Sequence, residues 1–111
     1  MVRRGEIYMV SFEPARGFEQ AGFRPGLVIQ NDDGNQFAST TIVAAMTRQH
    51  RDYPVRVRVG AKESGLREAS SVMLDQLRTV SQDRLGRRVG RLTPNAMVDV
   101  DDALRVSLGL A

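Results

Sequence analysis

The sequence contains no cysteine and no tryptophan, and it has a single histidine, His50. The absence of cysteine excludes disulfide frameworks, thiol nucleophiles and cysteine-ligated zinc sites. A single histidine excludes any mechanism that needs two imidazole groups from one subunit. The GxxxxGKS phosphate loop, the HExxH zinc motif and the GxSxG nucleophile motif are also missing. We therefore expect no metal and no cofactor.

Long hydrophobic runs are missing as well. Residues Met1 to Glu6 lack the apolar core of a signal peptide, and no stretch approaches membrane-spanning length. These absences predict a cytoplasmic protein without a membrane partner. The chain of 111 residues suffices for one compact domain, predicted to span residues 1–111. A domain this small leaves much surface exposed, so a homodimer would be unsurprising.

The basic residues are almost all arginine. Lys62 is the only lysine, and the formal net charge is +3 at pH 7. Arginine makes bidentate contacts with phosphate groups and stacks on bases. A genomic bias toward arginine codons would give the same composition. The charge therefore permits a nucleic-acid partner without demonstrating one.

Short β-branched and apolar runs dominate the chain. They predict strands near residues 4–12, 24–31, 40–47, 55–59, 70–80 and 87–92. Thr93 and Pro94 supply a capping hydroxyl and a proline at the first helical position, which predicts a C-terminal helix. Its apolar stripe is expected at Met97, Val100, Leu104 and Leu108. Many short strands without a βαβ repeat favour a mainly β protein, a small, strongly bent barrel with a C-terminal α-helix.

The segment from Gly17 to Asn31 is the most informative part of the chain. Pro25 pushes Arg24 into an extended conformation, which fixes a guanidinium at the entrance of a strand. The residues Asp32 to Asn35 predict a tight turn with a positive-φ residue. A hairpin through this turn would make the two flanking strands neighbours. Arg24 would then lie near Thr47, which ends the second strand.

These strand ends suggest a candidate site formed by Glu19, Gln20, Arg24, Thr47 and Gln49. An arginine and a hydroxyl that converge on a phosphate can stabilise a highly charged transition state. In RNA the 2′-OH of the substrate supplies the nucleophile, so neither a metal nor a protein nucleophile is required. Two alternatives stay open from the residues alone. Arg24 can be a structural ion-pair partner, and Thr47 can simply end a strand.

Four segments carry a resemblance to a known family. They are Arg4 to Tyr8, Glu19 to Asn31, Ile42 to Thr47 and Asp75 to Val80. The EQxGxRP block that begins at Glu19 and the DQxRT block that begins at Asp75 are specific in combination. In this order, and over nearly the whole chain, the sequence resembles the MazF/PemK toxins, which are the messenger-RNA-cleaving halves of bacterial toxin–antitoxin pairs.

The resemblance implies a homodimeric SH3-like β-barrel and a metal-independent endoribonuclease that acts on single-stranded RNA. Its products would be a 2′,3′-cyclic phosphate, or the 3′-phosphate formed by its hydrolysis, and a 5′-hydroxyl. A MazE-like antitoxin whose C-terminal tail occupies the RNA groove would be the cognate inhibitor. Arg24 and Thr47 fall on the catalytic pair of the family. Positions that would contact RNA are Phe18, Glu19, Gln20, Ser70 and Gln76, to which we add Gln49 and Asp75.

The chemistry suggests a role for each of these residues. Arg24 would stabilise the phosphorane charge and could donate a proton toward the leaving 5′-oxygen, but it is a poor general base because a guanidinium group keeps its protons in proteins. Thr47 would donate a hydrogen bond to a non-bridging phosphate oxygen. Glu19 is the candidate acceptor of the 2′-OH proton, although it could equally position Arg24 or read a base. Phe18 could stack on a base or pack at the root of its loop.

Two other functions compete with RNA cleavage. A gyrase-poisoning toxin shares this barrel but binds a protein and leaves RNA intact. A non-catalytic SH3-like adaptor is the second alternative. An adaptor would be expected to have an aromatic-lined peptide groove, yet aromatic residues make up only 5% of this sequence. The pairing of Arg24 with Thr47 favours the ribonuclease over both.

Overall fold

The computed structural model describes residues 1–110 and contains six strands and three α-helices. The strands are β1 (Glu6–Ser11), β2 (Phe23–Val28), β3 (Thr40–Thr47), β4 (Arg56–Val59), β5 (Ser70–Ser81) and β6 (Arg88–Arg91). The helices are α1 (Asp32–Phe37), α2 (Ala61–Ser64) and α3 (Pro94–Leu108), and a short 3-10 helix spans Gln82–Arg84. No helix within residues 1–110 is long and apolar enough to span a lipid bilayer.

The six strands form one antiparallel sheet in the order β4-β5-β3-β2-β1-β6. The sheet curls into a half-barrel, and its edge strands β4 and β6 do not pair with each other. The expectation of a mainly β protein with a strongly bent sheet and a C-terminal helix is confirmed. All six predicted strands are present, with bounds that differ from the predicted ones by a few residues.

Both faces of the sheet are buried, and successive side chains of a strand alternate between them. Leu27 faces a core shared with α3, whereas Val28 faces a second core on the opposite side. The helix-side core contains Ile7, Leu27, Met46, Val72, Leu74, Leu92, Ala96 and Val100. The second core contains Val10, Phe12, Val28, Val43, Ala45, Met73 and Val80. This double burial explains why the strands read as continuous apolar runs.

Helix α3 begins as predicted, and Met97, Val100 and Leu104 of its predicted apolar stripe pack against the helix-side core. The Thr93 hydroxyl accepts a hydrogen bond from the Ala96 amide at 3.3 Å, and Pro94 is the first helical residue. The buried side chains of the helix are Ala96, Val100 and Ala103, and the Ser107 hydroxyl donates to the Leu74 carbonyl at 2.6 Å. The small residues Ala96 and Ala103 add to this stripe, and they let the helix approach the sheet closely. The prediction for Leu108 is wrong, because that side chain is 57% exposed.

The predicted tight turn at Asp32 to Asn35 is also wrong, because these residues begin α1. The Asn31 side chain accepts a hydrogen bond from the Gly34 amide at 2.7 Å and caps the helix. Asn35 is buried and accepts from the Thr41 hydroxyl at 2.7 Å. A capping side chain and acids in the first turn stabilise a short helix here. The strands on either side of α1 nevertheless pair as antiparallel neighbours, as the hairpin argument required.

Strand β5 bends where the sequence is polar. Its first residues pair with β4 and with the end of β3, and its last residues pair with the start of β3. The register with β3 shifts between Ala44 and Met46, which face Leu77 and Val72. Asp75 and Gln76 lie in the extra length of β5 at this shift. The polar pair therefore marks a bulge that curls the sheet rather than a break in the strand.

Candidate functional site

The pairing of β2 with β3 brings Arg24 and Thr47 together. Gly26 faces Ala45 and Leu27 faces Ala44, so continuing the register by two residues places Arg24 opposite Thr47. Side chains that face each other across neighbouring strands lie on one side of the sheet, with Cβ atoms about 5 Å apart. The structure thus brings together the two residues on which the predicted chemistry depends.

The Arg24 guanidinium is held by neutral oxygen atoms. Its Nε donates to the Ala21 carbonyl at 2.9 Å, and its Nη1 lies 3.4 Å from the Met46 carbonyl. The side-chain oxygen of Gln20 accepts from Nη2 at 2.9 Å. This amide orientation is assigned because the opposite one would place the NH2 group of Gln20 against the N–H groups of the guanidinium. No carboxylate in residues 1–110 pairs with Arg24. The alternative that Arg24 is a structural ion-pair partner is wrong, and its charge remains available to an anion.

Gly22 makes this arrangement possible. It adopts φ +91°, a left-handed conformation that side-chain-bearing residues rarely take. Its carbonyl accepts from the Phe12 amide at 2.9 Å, and its amide donates to Glu13 at 3.2 Å. The resulting bend returns the loop to the start of β2 and leaves Arg24 over the end of β3.

Thr47 presents a hydroxyl at the end of β3. Its Oγ1 accepts a hydrogen bond from the Gln49 amide at 3.2 Å. Its side chain is half-buried, and within residues 1–110 the hydroxyl donates to no acceptor. The Thr47 hydroxyl can therefore donate a hydrogen bond to an oxygen atom of a ligand.

Both residues line a cleft of about 1090 Å³. Three further predicted site residues, Gln20, Gln49 and Ser70, also line it. The charged residues of its wall are Arg24, Arg48, Arg67, Glu68 and Arg87. Five of the predicted site residues thus share one strongly basic cleft.

Glu19 and Gln76 line a smaller, adjoining cleft of about 280 Å³, and Gln20 belongs to both clefts. The backbone amide of Gln20 donates to the side-chain oxygen of Gln76 at 2.9 Å. The Glu19 carboxylate accepts from the Arg16 amide and makes no hydrogen bond with Arg24. In this conformation Glu19 does not position the Arg24 guanidinium.

Two predicted RNA-binding residues lie outside both clefts. The Phe18 side chain is fully exposed at the tip of its loop and does not pack at the loop root. Asp75 accepts two hydrogen bonds from Arg56, at 2.8 and 3.0 Å, and the Arg56 guanidinium lies over the Tyr53 ring. An RNA that filled only the two clefts would leave both residues without a contact.

Sequence reasoning missed three arginines of the larger cleft. Arg48 forms an ion pair with Glu68 at 3.1 Å, whereas Arg67 and Arg87 have no side-chain partner within residues 1–110. All three lie in connections between strands, so no periodic pattern marks them. The arginine-rich composition was the only signal. The single histidine, His50, lies outside the clefts, with Nδ1 2.7 Å from the Ser71 hydroxyl.

Comparison with known proteins places this chain in a family. Residues 3–108 match the family described as PemK-like, MazF-like toxin of type II toxin-antitoxin system. The chain is 43% identical to Endoribonuclease EndoA of Bacillus subtilis (strain 168), an alignment that covers 99% of this chain and 97% of EndoA. It is 40% identical to Endoribonuclease MazF of Staphylococcus epidermidis, with coverage of 99% and 93%.

A solved structure supports the same relationship. An endoribonuclease from a mycobacterial species, determined in complex with its cognate antitoxin, superposes with a TM-score of 0.85. The two chains are 25% identical, and the superposition covers 100% of this chain and 98% of the other. The fold expected from the resemblance is confirmed. By sequence and by fold, the chain belongs to the PemK-like, MazF-like toxins of type II toxin–antitoxin systems.

Proposed function

We propose that this protein is a toxin that cleaves single-stranded messenger RNA and so blocks translation and growth. The observation that carries the proposal is the Arg24 guanidinium, which lacks a carboxylate partner and lies across from the free Thr47 hydroxyl in a basic cleft. Two relatives at 40% identity or more are named endoribonucleases.

The reaction breaks one phosphodiester bond without a protein nucleophile. The 2′-oxygen of the substrate attacks the adjacent phosphorus atom, its proton passes to a base, and the bond from phosphorus to the 5′-oxygen breaks. The leaving oxygen takes up a proton. The products are a 2′,3′-cyclic phosphate and a 5′-hydroxyl, and hydrolysis of the former gives a 3′-phosphate.

Arg24 and Thr47 act on the phosphate group in this scheme. The Nη atoms of Arg24 that face the cleft bind non-bridging oxygens, whose negative charge grows as the phosphorane forms, and the Thr47 hydroxyl donates to one of them. The three neutral acceptors around Arg24 fix the guanidinium before the substrate arrives, so little reorganisation is needed during the reaction. Arg24 also supplies the proton taken up by the leaving oxygen and regains one from water, so that the guanidinium is restored after each turnover.

The remaining site residues bind the nucleotides on either side of the phosphate. Gln20, Gln49 and Ser70 contact RNA in the larger cleft, and Gln76 contacts it in the smaller one. For Glu19 to accept the 2′-OH proton, its carboxylate must leave the Arg16 amide and turn into the larger cleft. The present geometry favours Glu19 as a nucleotide contact. Phe18 and Asp75 bind RNA only if the strand extends beyond the two clefts.

The partners follow from the family. The mycobacterial relative is held by its cognate antitoxin, and we propose a MazE-like antitoxin for this protein. A segment of the antitoxin that carries acidic residues would complement the basic cleft and exclude RNA. We also propose that the protein acts as a homodimer in the cytoplasm.

The test is to incubate the purified protein with a long single-stranded RNA in EDTA, beside the Arg24→Ala variant. The proposal expects discrete fragments with 5′-hydroxyl ends from the wild type and at least a 10²-fold slower reaction from the variant. RNA that stays intact with a folded wild-type protein would rule the proposal out. A gyrase supercoiling assay on the same sample then tests the gyrase-poisoning alternative.

A further inference from the structure

The positive charge of the protein is concentrated in the larger cleft. Its wall carries four arginines and one glutamate, which gives +3, the same as the formal net charge of the whole chain. Taking these away from the sixteen basic and thirteen acidic residues leaves twelve of each. The charges of the remaining residues therefore sum to zero, and the net charge of the chain equals that of the cleft, which favours the approach of a polyanion to it.

The arginines of the cleft differ in how far their charges are already compensated. Arg24 is oriented by neutral acceptors at the reaction centre, and Arg48 is paired with Glu68 at 3.1 Å. Arg67 and Arg87 are exposed, and within residues 1–110 neither makes an ion pair or a side-chain hydrogen bond. A guanidinium without a partner in an anion-binding cleft is suited to contact a phosphate bidentately.

The fold holds Arg87 at a distance from Arg24. The Arg87 carbonyl accepts from the Met9 amide at 3.0 Å, and Met9 faces Pro25 across β1 and β2. The backbone of Arg87 is therefore two strand spacings, about 10 Å, from that of β2. This separation lets the two guanidinium groups contact different phosphates of one strand.

The backbone segment that carries Arg67 follows a close packing contact between α2 and β6. Helix α2 ends at Ser64, whose carbonyl lies against Gly90 so closely that a Cβ atom there would be 2.3 Å away. Gly65, with φ +78°, then turns the chain toward the cleft, and Leu66 packs against the helix-side core. The segment that carries Arg67 is thus anchored on both sides of the turn.

We infer that Arg67 and Arg87 bind backbone phosphates that flank the phosphate held by Arg24. They extend the RNA path beyond the reaction centre and supply affinity that does not depend on the base sequence. Because both contacts are present before and during the reaction, they lower KM without changing kcat. This inference rests on the proposed function and adds a phosphate-binding track to it.

The test measures binding of the full-length protein to a short, fully 2′-O-methylated RNA, which has no 2′-OH and cannot be cleaved. Fluorescence anisotropy gives Kd from about 50 mM to about 300 mM KCl. For the Arg67→Gln/Arg87→Gln variant, the slope of log affinity against log salt should become shallower by about 1.4, or about 0.7 for each lost phosphate contact. The matched control is Arg91→Gln, since Arg91 is exposed, unpaired within residues 1–110 and outside both clefts.

A slope of the double variant equal to that of the Arg91→Gln control would overturn the inference.

A cleavage assay with unmodified RNA and the same proteins distinguishes a failure of this inference from a failure of the proposed function. The double variant should have a raised KM and an unchanged kcat, whereas a lowered kcat at unchanged KM would contradict the assignment. If the wild type cleaves RNA and the double variant binds with the wild-type slope, the ribonuclease proposal stands and the phosphate track is wrong. If the wild type binds with an arginine-dependent slope but never cleaves, the track stands and the ribonuclease proposal fails.

Discussion

Arg24 combines a fixed orientation with an uncompensated charge. The Arg56 guanidinium, in contrast, is oriented by the carboxylate of Asp75. At Arg24 the carbonyls of Ala21 and Met46 and the amide of Gln20 perform that task. Neutral acceptors orient the guanidinium without cancelling its field, so the full charge acts on a bound phosphate.

Replacing Arg24 by lysine separates orientation from charge. Arg24→Lys keeps the positive charge but loses the planar fork that reaches Ala21 and Gln20. We expect kcat for RNA cleavage to fall by about 10²-fold, because the remaining charge is no longer aimed at the phosphorane. The salt dependence of binding to uncleavable RNA should stay as in the wild type, and a shallower slope would contradict this explanation.

Thr47→Val removes one hydroxyl and keeps the shape of the side chain. A hydrogen bond to a charged oxygen contributes about 1.5–3 kcal/mol, so the rate of cleavage should fall about 10- to 100-fold. Thermal unfolding should change little, since the hydroxyl only accepts from the Gln49 amide at 3.2 Å. A variant that cleaves RNA at the wild-type rate would leave Thr47 as a residue that merely ends its strand.

At the scale of single elements, the short helices matter more than their length suggests. Helix α2 has four residues, yet its end fixes the segment that enters the larger cleft. Helix α1 has six residues and links the two strands that position the reaction centre. Neither helix was predicted, because capping contacts and tertiary packing, rather than periodicity, stabilise helices this short.

The contact between α2 and β6 predicts a strict requirement for glycine at position 90. In Gly90→Ala the new Cβ would lie 2.3 Å from the Ser64 carbonyl oxygen, so one element must move. We expect a loss of about 1–3 kcal/mol in the free energy of unfolding, measured with urea. Gly60→Ala is the control, because its Cβ meets nothing closer than 3.5 Å. Equal stability of the Gly90→Ala variant and the wild type would contradict the contact.

The start of α1 predicts a dependence of stability on pH. The Arg4 amide donates to the Asp32 carboxylate at 2.7 Å, and Asn35 donates to the same carboxylate; these bonds lower the pKa of Asp32. A carboxyl group with a lowered pKa stabilises the fold above its unfolded value of about 3.9, and the contribution disappears as the pH falls through the folded value. Asp32→Asn should therefore be less stable than the wild type at pH 7. The difference should shrink below about pH 4 in urea unfolding experiments, and a constant difference would contradict the assignment.

At the scale of the whole molecule, charge and curvature coincide. The half-barrel curls at the bulge of β5, and the surplus positive charge lies in the cleft near the ends of β2 and β3. This coincidence favours the approach of a polyanion to the cleft. Under the proposed function, RNA and an acidic antitoxin segment would share this surface, so that one would exclude the other.

The sequence allowed the juxtaposition of Arg24 and Thr47 to be predicted, with Gln20, Gln49 and Ser70 nearby, but not the other arginines of the cleft. Arg24 and Thr47 lie on adjacent strands, so proline geometry and strand pairing sufficed to bring them together, even though the connection is a helix and not a turn. Arg67 and Arg87 depend on the packing of α2 against β6, which no local pattern encodes. Of the predicted stripe of α3, only Leu108 lies outside the core, because it is the last residue of the helix.

Gln20 belongs to both clefts, and this shared position has an evolutionary consequence. Its backbone contacts the Gln76 side chain in the smaller cleft, and its own side chain contacts the Arg24 guanidinium in the larger one. Under the proposed function, replacing Gln76 to change the accepted nucleotide would remove the acceptor of the Gln20 backbone amide and so disturb the side chain that orients Arg24. A change of target sequence at this position should therefore lower turnover until a substitution near Gln20 restores the orientation of Arg24.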